Sequence, residues 1–359
     1  MPTPFTIDQL PDRVITQAGQ SYLFFSGTAY LGLPQLPAFR ALVAEAMQTY
    51  GTSYGSSRNG NLRLGLYERV EALLTTAVGP AANRPAAALT LSSGMLAGQL
   101  VVQWLRQPHT RFLYAPGTHP ALWADARPEL PAGTHAEWAA QLGAQVRALP
   151  AGQPVVILTN SIDALQSVPY TFYWLSTLPL DRPVTVVVDD SHGLGVLNDG
   201  RGIWAQLPQR PGLRLLLTGS LAKGMGLPGG VVFGDADTLA QLRQTAFFGA
   251  CSPIPPAYLA AYEQAGPLYR AAYDRLLTNV GLAEKLLLPT GLFRQAPGYP
   301  VFSTDDAGLY PYLLDRGIFM YSFAYPGPAD PPNNRIVISA FHTPDDIATL
   351  ADALYAYAD

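Results

Sequence analysis

Asp189, Lys223 and the pair Ser93-Gly94 are the residues of this chain best placed for chemistry, because each closes or follows an apolar run that reads as a strand. Open α/β sheets bind ligands beyond the carboxyl ends of their strands, so all three would face one rim. Ser93-Gly94 also opens a helix, whose first N–H groups and positive dipole end suit a phosphate. Taken alone, that pair is only a turn. The segment VVVDDSHGLGVLNDGRG sets Asp189, Asp190 and His192 directly after five strand residues, where a buried carboxylate needs a cationic partner. Asp and His also ligate metals, but no second ligand cluster at suitable spacing accompanies them, so no metal is expected.

Two look-alikes fail on context. GTSYG, residues 51 to 55, has the G-x-S-x-G form of a nucleophile elbow around Ser53, yet it follows the helical stretch AFRALVAEAMQTY where an elbow needs a strand. A serine hydrolase is therefore a minor alternative. GSLAKGMG resembles a phosphate-binding P-loop in composition only, because Lys223 is followed by Gly224 and not by Ser or Thr.

The elements that must position these residues are legible from periodicity. Residues 38 to 50 and 66 to 78 carry helical patterns closed by Gly51 and Gly79, which suit left-handed C-caps. From Ala86 onward short apolar runs alternate with helical stretches: AAALTL, RFLYA, PVVILT, PVTVVVDD, LRLLLTG and GVVFG. That rhythm predicts a mostly parallel sheet covered on both faces. After Pro255 the pattern changes to a long helical stretch, 257 to 287, then to the mixed segments YPVFSTDD, GIFMYSF and RIVISAF and a helix over 344 to 357. The expected organisation is an N-terminal arm over 1–35, a large α/β domain over 36–255 and a smaller α+β domain over 256–359.

Composition narrows the function classes. The chain has 359 residues, and 22 Lys plus Arg against 26 Asp plus Glu give a net charge of −4, so a nucleic-acid-binding surface is not expected. Hydrophobic residues at 48% exclude a disordered chain, and the 33 glycines and 33 prolines call for many tight turns. The apolar runs are five residues long, far short of a membrane span. One cysteine, Cys251, cannot form an internal disulfide, and the start MPTPFTIDQL lacks the regions of a signal peptide. A cytoplasmic location is the expectation.

In chain order, AYLGL, YGSSRNG, LSSGMLAGQ, the His119 segment YAPGTHPAL, VVVDDSHGLGV with GRG, SLAKGMGLPGG, CSPIPPA and RIVISAFHT resemble the α-oxoamine synthases. These are fold-type-I pyridoxal phosphate enzymes, and the most specific part of the match is VDDSHGLGV followed by SLAKGMGLPGG. The resemblance implies a large domain with a mostly parallel, seven-stranded sheet and a smaller C-terminal domain. It implies that pyridoxal 5′-phosphate is carried by Lys223, which later moves the substrate's Cα proton; a lysine in a cationic or desolvated setting can serve as nucleophile and base. Asp189 would pair with the pyridine nitrogen and keep the ring an electron sink. His119 would stack on the ring, with His192 and Ser161 near its phenolic oxygen. Ser93, Gly94, Met95, Ser220 and, from the other subunit, Ser252 would hold the phosphate. Arg335, seven residues before His342, would clamp the amino-acid carboxylate with its two parallel donors.

The implied reaction joins an amino acid to an acyl thioester, such as an acyl-CoA, with loss of carbon dioxide, in a homodimer. An aminotransferase or lyase of the same fold would use the same Lys223 and Asp189 without the thioester, and a cofactor-binding protein with no turnover is a minor alternative. Two departures bear on this. The chain is shortened after His119, reading Ala132-Gly133-Thr134 where the family has a His-Asn-Asp stretch, and Gly98 stands where the family has asparagine.

Overall fold

The computed structural model describes residues 5–79, 86–163, 166–324 and 332–358. Strands β1 (Val14–Gln17) and β2 (Gln20–Phe25) precede helices α1 (Pro37–Tyr50) and α2 (Leu66–Val78). Next come β3 (Ala86–Leu91), α3 (Gly94–Leu105), β4 (Arg111–Tyr114), α4 (His135–Arg147) and β5 (Val155–Asn160). The two-residue strands β6 (Ile162–Asp163) and β7 (Val168–Pro169) lead to β8 (Val184–Asp189), β9 (Leu213–Ser220) and β10 (Gly230–Asp235). Helices α5 (Ala236–Arg243), α6 (Ala246–Ala250), α7 (Pro256–Gln264) and α8 (Gly266–Leu287) follow. The chain ends with β11 (Val301–Thr304), α9 (Leu309–Leu314), β12 (Ile318–Ala324), β13 (Pro332–Val337) and α10 (Pro344–Ala358).

These elements form two compact units, one of residues 41–163 and 169–265, the other of 1–40, 164–168 and 266–359. The larger unit holds a sheet of strand order β3-β10-β9-β8-β5-β4. β4, β5, β8 and β9 run parallel, while β10 is antiparallel to both β9 and β3. β3 therefore points the same way as the parallel strands, and their carboxyl ends share one rim. β8 is buried at all six positions, as the run of valines requires of a strand covered on both faces. On one face α3 presents Ala97, Leu100, Val101 and Leu105 to Leu89, Leu91, Val156, Leu158, Val187 and Leu216. That spacing is the apolar stripe of a helix lying on a sheet.

The sheet has six strands among the described residues, where seven were expected. Its edge, β4, pairs with β5 alone. The stretch from β4 to α4 holds only 20 residues, 115 to 134, among them four prolines and the one-turn segment Pro120–Leu122, which leaves no room for a helix plus a further strand. Thr134 instead caps α4 in a capping box, its side chain accepting the Glu137 N–H while Glu137 reaches back to the Thr134 N–H. Gly98 also has a physical reason, because a Cβ there would overlap the Ala121 carbonyl of that short turn.

In the smaller unit, a five-stranded sheet runs β1-β2-β12-β13-β11. The N-terminal arm is thus a hairpin, turned at Ala18 and Gly19 with φ of 49° and 81°, whose second strand joins β12 in parallel. The expected helix over 257 to 287 is two helices, because Gly266-Pro267 interrupts it: a proline lacks the N–H that a continuous helix needs at that point. α7 accordingly falls in the larger unit and α8 in the smaller.

The YGSSRNG segment is tied down by a buried ion cluster. Arg58 pairs with Glu71 of α2, lies over the Tyr67 ring at 4.4 Å, and Glu71 also accepts from the Thr90 N–H at 2.7 Å and from Arg243 at 2.9 Å. Every oxygen of the carboxylate is used, which offsets the cost of burying it.

Two buried histidines make stability depend on pH. His342 donates from Nε2 to the Phe24 carbonyl (2.8 Å), accepts the Ser339 N–H at Nδ1 (2.9 Å) and stacks on Phe25 at 4.3 Å. His135 stacks on Tyr170 at 3.8 Å. Burial pushes both down to about 4. The unfolded chain takes up these protons near pH 6.5 while the folded chain refuses them, so this contribution is complete above 6.5 and shrinks as pH falls toward 4, by about 1.4 kcal/mol per pH unit and ring. Asp190 at the end of β8 opposes them, since burial raises its carboxyl to about 7 and a raised acid stabilises the fold at low pH. The histidine contribution is therefore read by difference: urea unfolding between pH 7 and 5 should show a shallower loss for His342→Gln than for the wild type. Equal slopes would remove His342 from the account.

Candidate active site

Four loops at the carboxyl rim of the six-stranded sheet carry most of the predicted residues. The strand register sets Asn160, Asp189 and Thr218 abreast at the ends of β5, β8 and β9. Beyond β3, Ser93 caps α3 by accepting the Leu96 N–H at 3.2 Å, which leaves its own O–H to donate. A Cβ on Gly94 would lie 2.8 Å from the Ser220 Cα, and one on Gly230 would overlap the Ser93 carbonyl. The absence of side chains at Gly94 and Gly230 thus lets the start of α3 and the end of β9 lie together. The first-turn N–H groups at Gly94 and Met95 have no acceptor within a helix and, with the nearby serines, make a cradle for a phosphate.

Asp189 is buried, and one oxygen accepts the Ser191 N–H at 2.9 Å. Its other oxygen lies 3.7 Å from His119 Nδ1. That contact is not an ion pair, because His119 Nδ1 already accepts the Ala121 N–H at 3.1 Å. Burial outweighs Asp189 and pushes the imidazole below its ordinary value, with Lys223 acting in the same direction. His119 is a neutral ring.

Lys223 sits in the turn after β9, half-buried, with Nζ 2.9 Å from His192 Nε2. The turn is closed by the Leu227 N–H to the Leu221 carbonyl (2.8 Å) and by the Leu221 N–H to the Gly229 carbonyl (2.9 Å). The His192 loop leans on it: Gly195 approaches the backbone of Gly224 and Met225, and the Ser220 N–H donates to Ser191 Oγ at 2.8 Å. Ser220 Oγ in turn accepts the Ala222 N–H at 3.2 Å. A carboxylate, an amine, two imidazoles and an anion cradle therefore converge on one rim.

Ser161 is fully buried with its hydroxyl against Asp190. Ser252, just beyond α6, is exposed. Arg335 lies on β13 of the smaller unit, buried beneath the Tyr321 ring at 3.9 Å and paired in register with Ser303 and Tyr321. Met95 is 46% exposed, so only its backbone belongs to the cradle. Asn160 lies outside the motifs, and Ser191 lies inside VVVDDSHGLGV without an assigned role; the rule that selected Asp189 applies equally to Asn160, which ends VVILTN.

The alternatives lose their geometry here. Ser53 follows helix α1, the Lys223 turn does not open into a helix, and no group of three His, Cys, Asp or Glu side chains could hold a metal among the described residues. No described helix is long and apolar enough to cross a membrane.

A family model for class I and II aminotransferases matches residues 139–354, well over half of the chain. The chain belongs to that family. Among this aminotransferase-family protein's relatives, the 8-amino-7-oxononanoate synthase of Cronobacter sakazakii is 29% identical over 96% of this chain and 91% of its own length. A serine palmitoyltransferase of Bacteriovorax stolpii is 23% identical over 96% and 84%. A solved serine palmitoyltransferase with PLP has the same fold, with a TM-score of 0.79 at 18% identity over 98% of this chain and 92% of the other. The resemblance to α-oxoamine synthases holds, and the protein is a PLP-dependent transferase of that type. Its own residues fit the cofactor: the glycine-lined cradle suits the phosphate, buried Asp189 suits a protonated pyridine nitrogen, and Lys223 offers the amine.

Proposed function

We propose that this enzyme condenses an amino acid with an acyl thioester, releasing carbon dioxide and the free thiol and yielding an α-aminoketone, and that it does so as a homodimer. The contact of Lys223 Nζ with His192 Nε2, on the rim that also carries Asp189 and His119, is the observation that carries the reading. Pyridoxal 5′-phosphate supplies an electron sink that stabilises negative charge at the amino acid's Cα. Ser93, Ser220 and the Gly94 and Met95 N–H groups bind its phosphate. Asp189 would hold the cofactor's pyridine nitrogen and, by its buried charge, favour its protonated form.

Lys223, when its amine is free, takes the Cα proton, and His192 keeps that amine oriented through the hydrogen bond at Nε2. His119 would offer the cofactor ring a flat neutral face. Arg335 binds the amino-acid carboxylate with its planar fork, held flat by Tyr321. Ser252, exposed in one chain, completes the phosphate site of the second. The synthase and palmitoyltransferase relatives support acyl transfer over transamination.

The test mixes the purified protein with glycine, alanine or serine and acyl-CoA thioesters of graded chain length. Free thiol and carbon dioxide should appear in equal amounts and only when both substrates are present, from a species that sediments as a dimer. A keto acid formed without thiol release would make the enzyme an aminotransferase, and a cofactor-loaded monomer would remove Ser252 from the site.

A further inference from the structure

The loop that carries His119 is braced by Asn160. At the end of β5 its side-chain oxygen accepts the His119 N–H at 3.1 Å, and its side-chain nitrogen donates to the Gly117 carbonyl at 2.8 Å. Both ends of the amide are used, and partners of opposite polarity fix which end is which. Gly117 has φ of 65°, a conformation that favours glycine, so the turn is tight where the amide grips it. Thr118 Oγ1 donates to the Ala115 carbonyl at 2.7 Å, and Trp123 Nε1 donates to the Thr118 carbonyl at 2.8 Å. The braced turn delivers the His119 ring to the Ala121 N–H. A ring nitrogen that accepts an N–H carries no proton, so the hydrogen of a neutral imidazole lies on Nε2.

We propose that Asn160 is a positioning residue for the reaction, holding the 117–119 turn so that His119 is kept as the neutral Nε2–H tautomer, a hydrogen-bond donor that cannot act as the base. The proposal rests on the reading of His119 as a site residue. It divides the labour of the two groups nearest the chemistry: His119 donates, and proton removal falls to Lys223. It also gives both ends of the amide at position 160 a role. Alanine would release the turn. Aspartate would keep the acceptor, lose the donor to Gly117 and set a second charge beside Asp189, drawing a proton onto the ring.

The experiment is 15N NMR of the holoenzyme labelled at its five histidines, with the His119 signals identified by their loss in His119→Gln. In the wild type, Nδ1 of His119 should show the shift of an unprotonated nitrogen from pH 6 to 8. Asn160→Ala should mix the tautomers while the other histidine signals stay put, and the amino-acid KM should rise roughly tenfold with a smaller change in kcat. Asn160→Asp should move the His119 titration to higher pH, which keeps the test decisive if the alanine variant does not fold. A wild-type ring protonated on Nδ1, or His119 signals unchanged in the variants that fold, would overturn the proposal. Cofactor absorbance of the same samples reports separately whether the site binds pyridoxal phosphate at all.

Discussion

Reduction of the purified protein with borohydride should fix one pyridoxal phosphate per chain on Lys223, and Lys223→Ala should retain none after denaturation. The sequence makes this an unusually clean measurement, because only two of its 22 basic residues are lysines, Lys223 and Lys285. Lys285 lies in the last turn of α8, in the smaller unit. Lys223 stands in a turn closed by backbone hydrogen bonds, with Nζ against His192, so an aldehyde held by its phosphate in the Gly94-Ser220 cradle meets an amine at high effective concentration. Loss of that amine also removes the base, which alone is worth about 10² to 10⁴ in rate. Mass spectrometry of tryptic peptides locates the adduct. Finding it on Lys285 or on the amino terminus would assign the anchoring role elsewhere.

Asp189→Asn should keep the cofactor bound and lower turnover by about two orders of magnitude or more, on the scale of about 3 kcal/mol for one well-placed electrostatic stabiliser. The amide can still accept the Ser191 N–H that the carboxylate accepts now, so the loop should hold its shape. What is lost is the charge, in a buried position where water cannot replace it. Near-normal kcat at full cofactor loading would refute the assignment. Asp190 is not an equivalent substitute. It is wholly buried, accepts the Ile203 N–H at 2.9 Å, and is enclosed where a Cβ on Gly193 or Gly202 would overlap its oxygens. Its replacement by Asn should disturb the fold of the His192 loop before it changes the chemistry.

Much of this site was legible because its residues sit at places that local rules mark. Asp189, Ser93 and Lys223 each stand at or just beyond the carboxyl end of a strand whose apolar run is unmistakable, and the two glycines after α1 and α2 carry positive φ, 65° at Gly51 and 82° at Gly79, although Gly79, with ψ of 164°, is not a left-handed cap. What escaped depends on distance in three dimensions. Asn160 acts on a turn 41 residues away, and Ser191 meets Ser220 across 29 residues of sequence. No periodicity announces such pairs. Ser161 was placed by the family resemblance alone, and its hydroxyl is buried against Asp190, a contact that no local pattern announces. The break at Gly266-Pro267 was overlooked for a different reason: strong helical patterns on both sides masked a proline that local chemistry alone would have flagged.

The six-stranded sheet of the described residues bears on how this protein avoids its own kind. Ending the sheet at β4 puts an edge at Arg111–Tyr114, and sheet edges invite strand-by-strand growth into aggregates. Two features blunt that hazard. The edge is four residues long, barely enough to template a partner, and it starts on an exposed arginine, a charge that an incoming strand would have to bury or avoid. The shortened stretch after His119 thus comes with its own protection, and lengthening β4 or replacing Arg111 with an apolar residue would create an aggregation-prone edge without touching the active site.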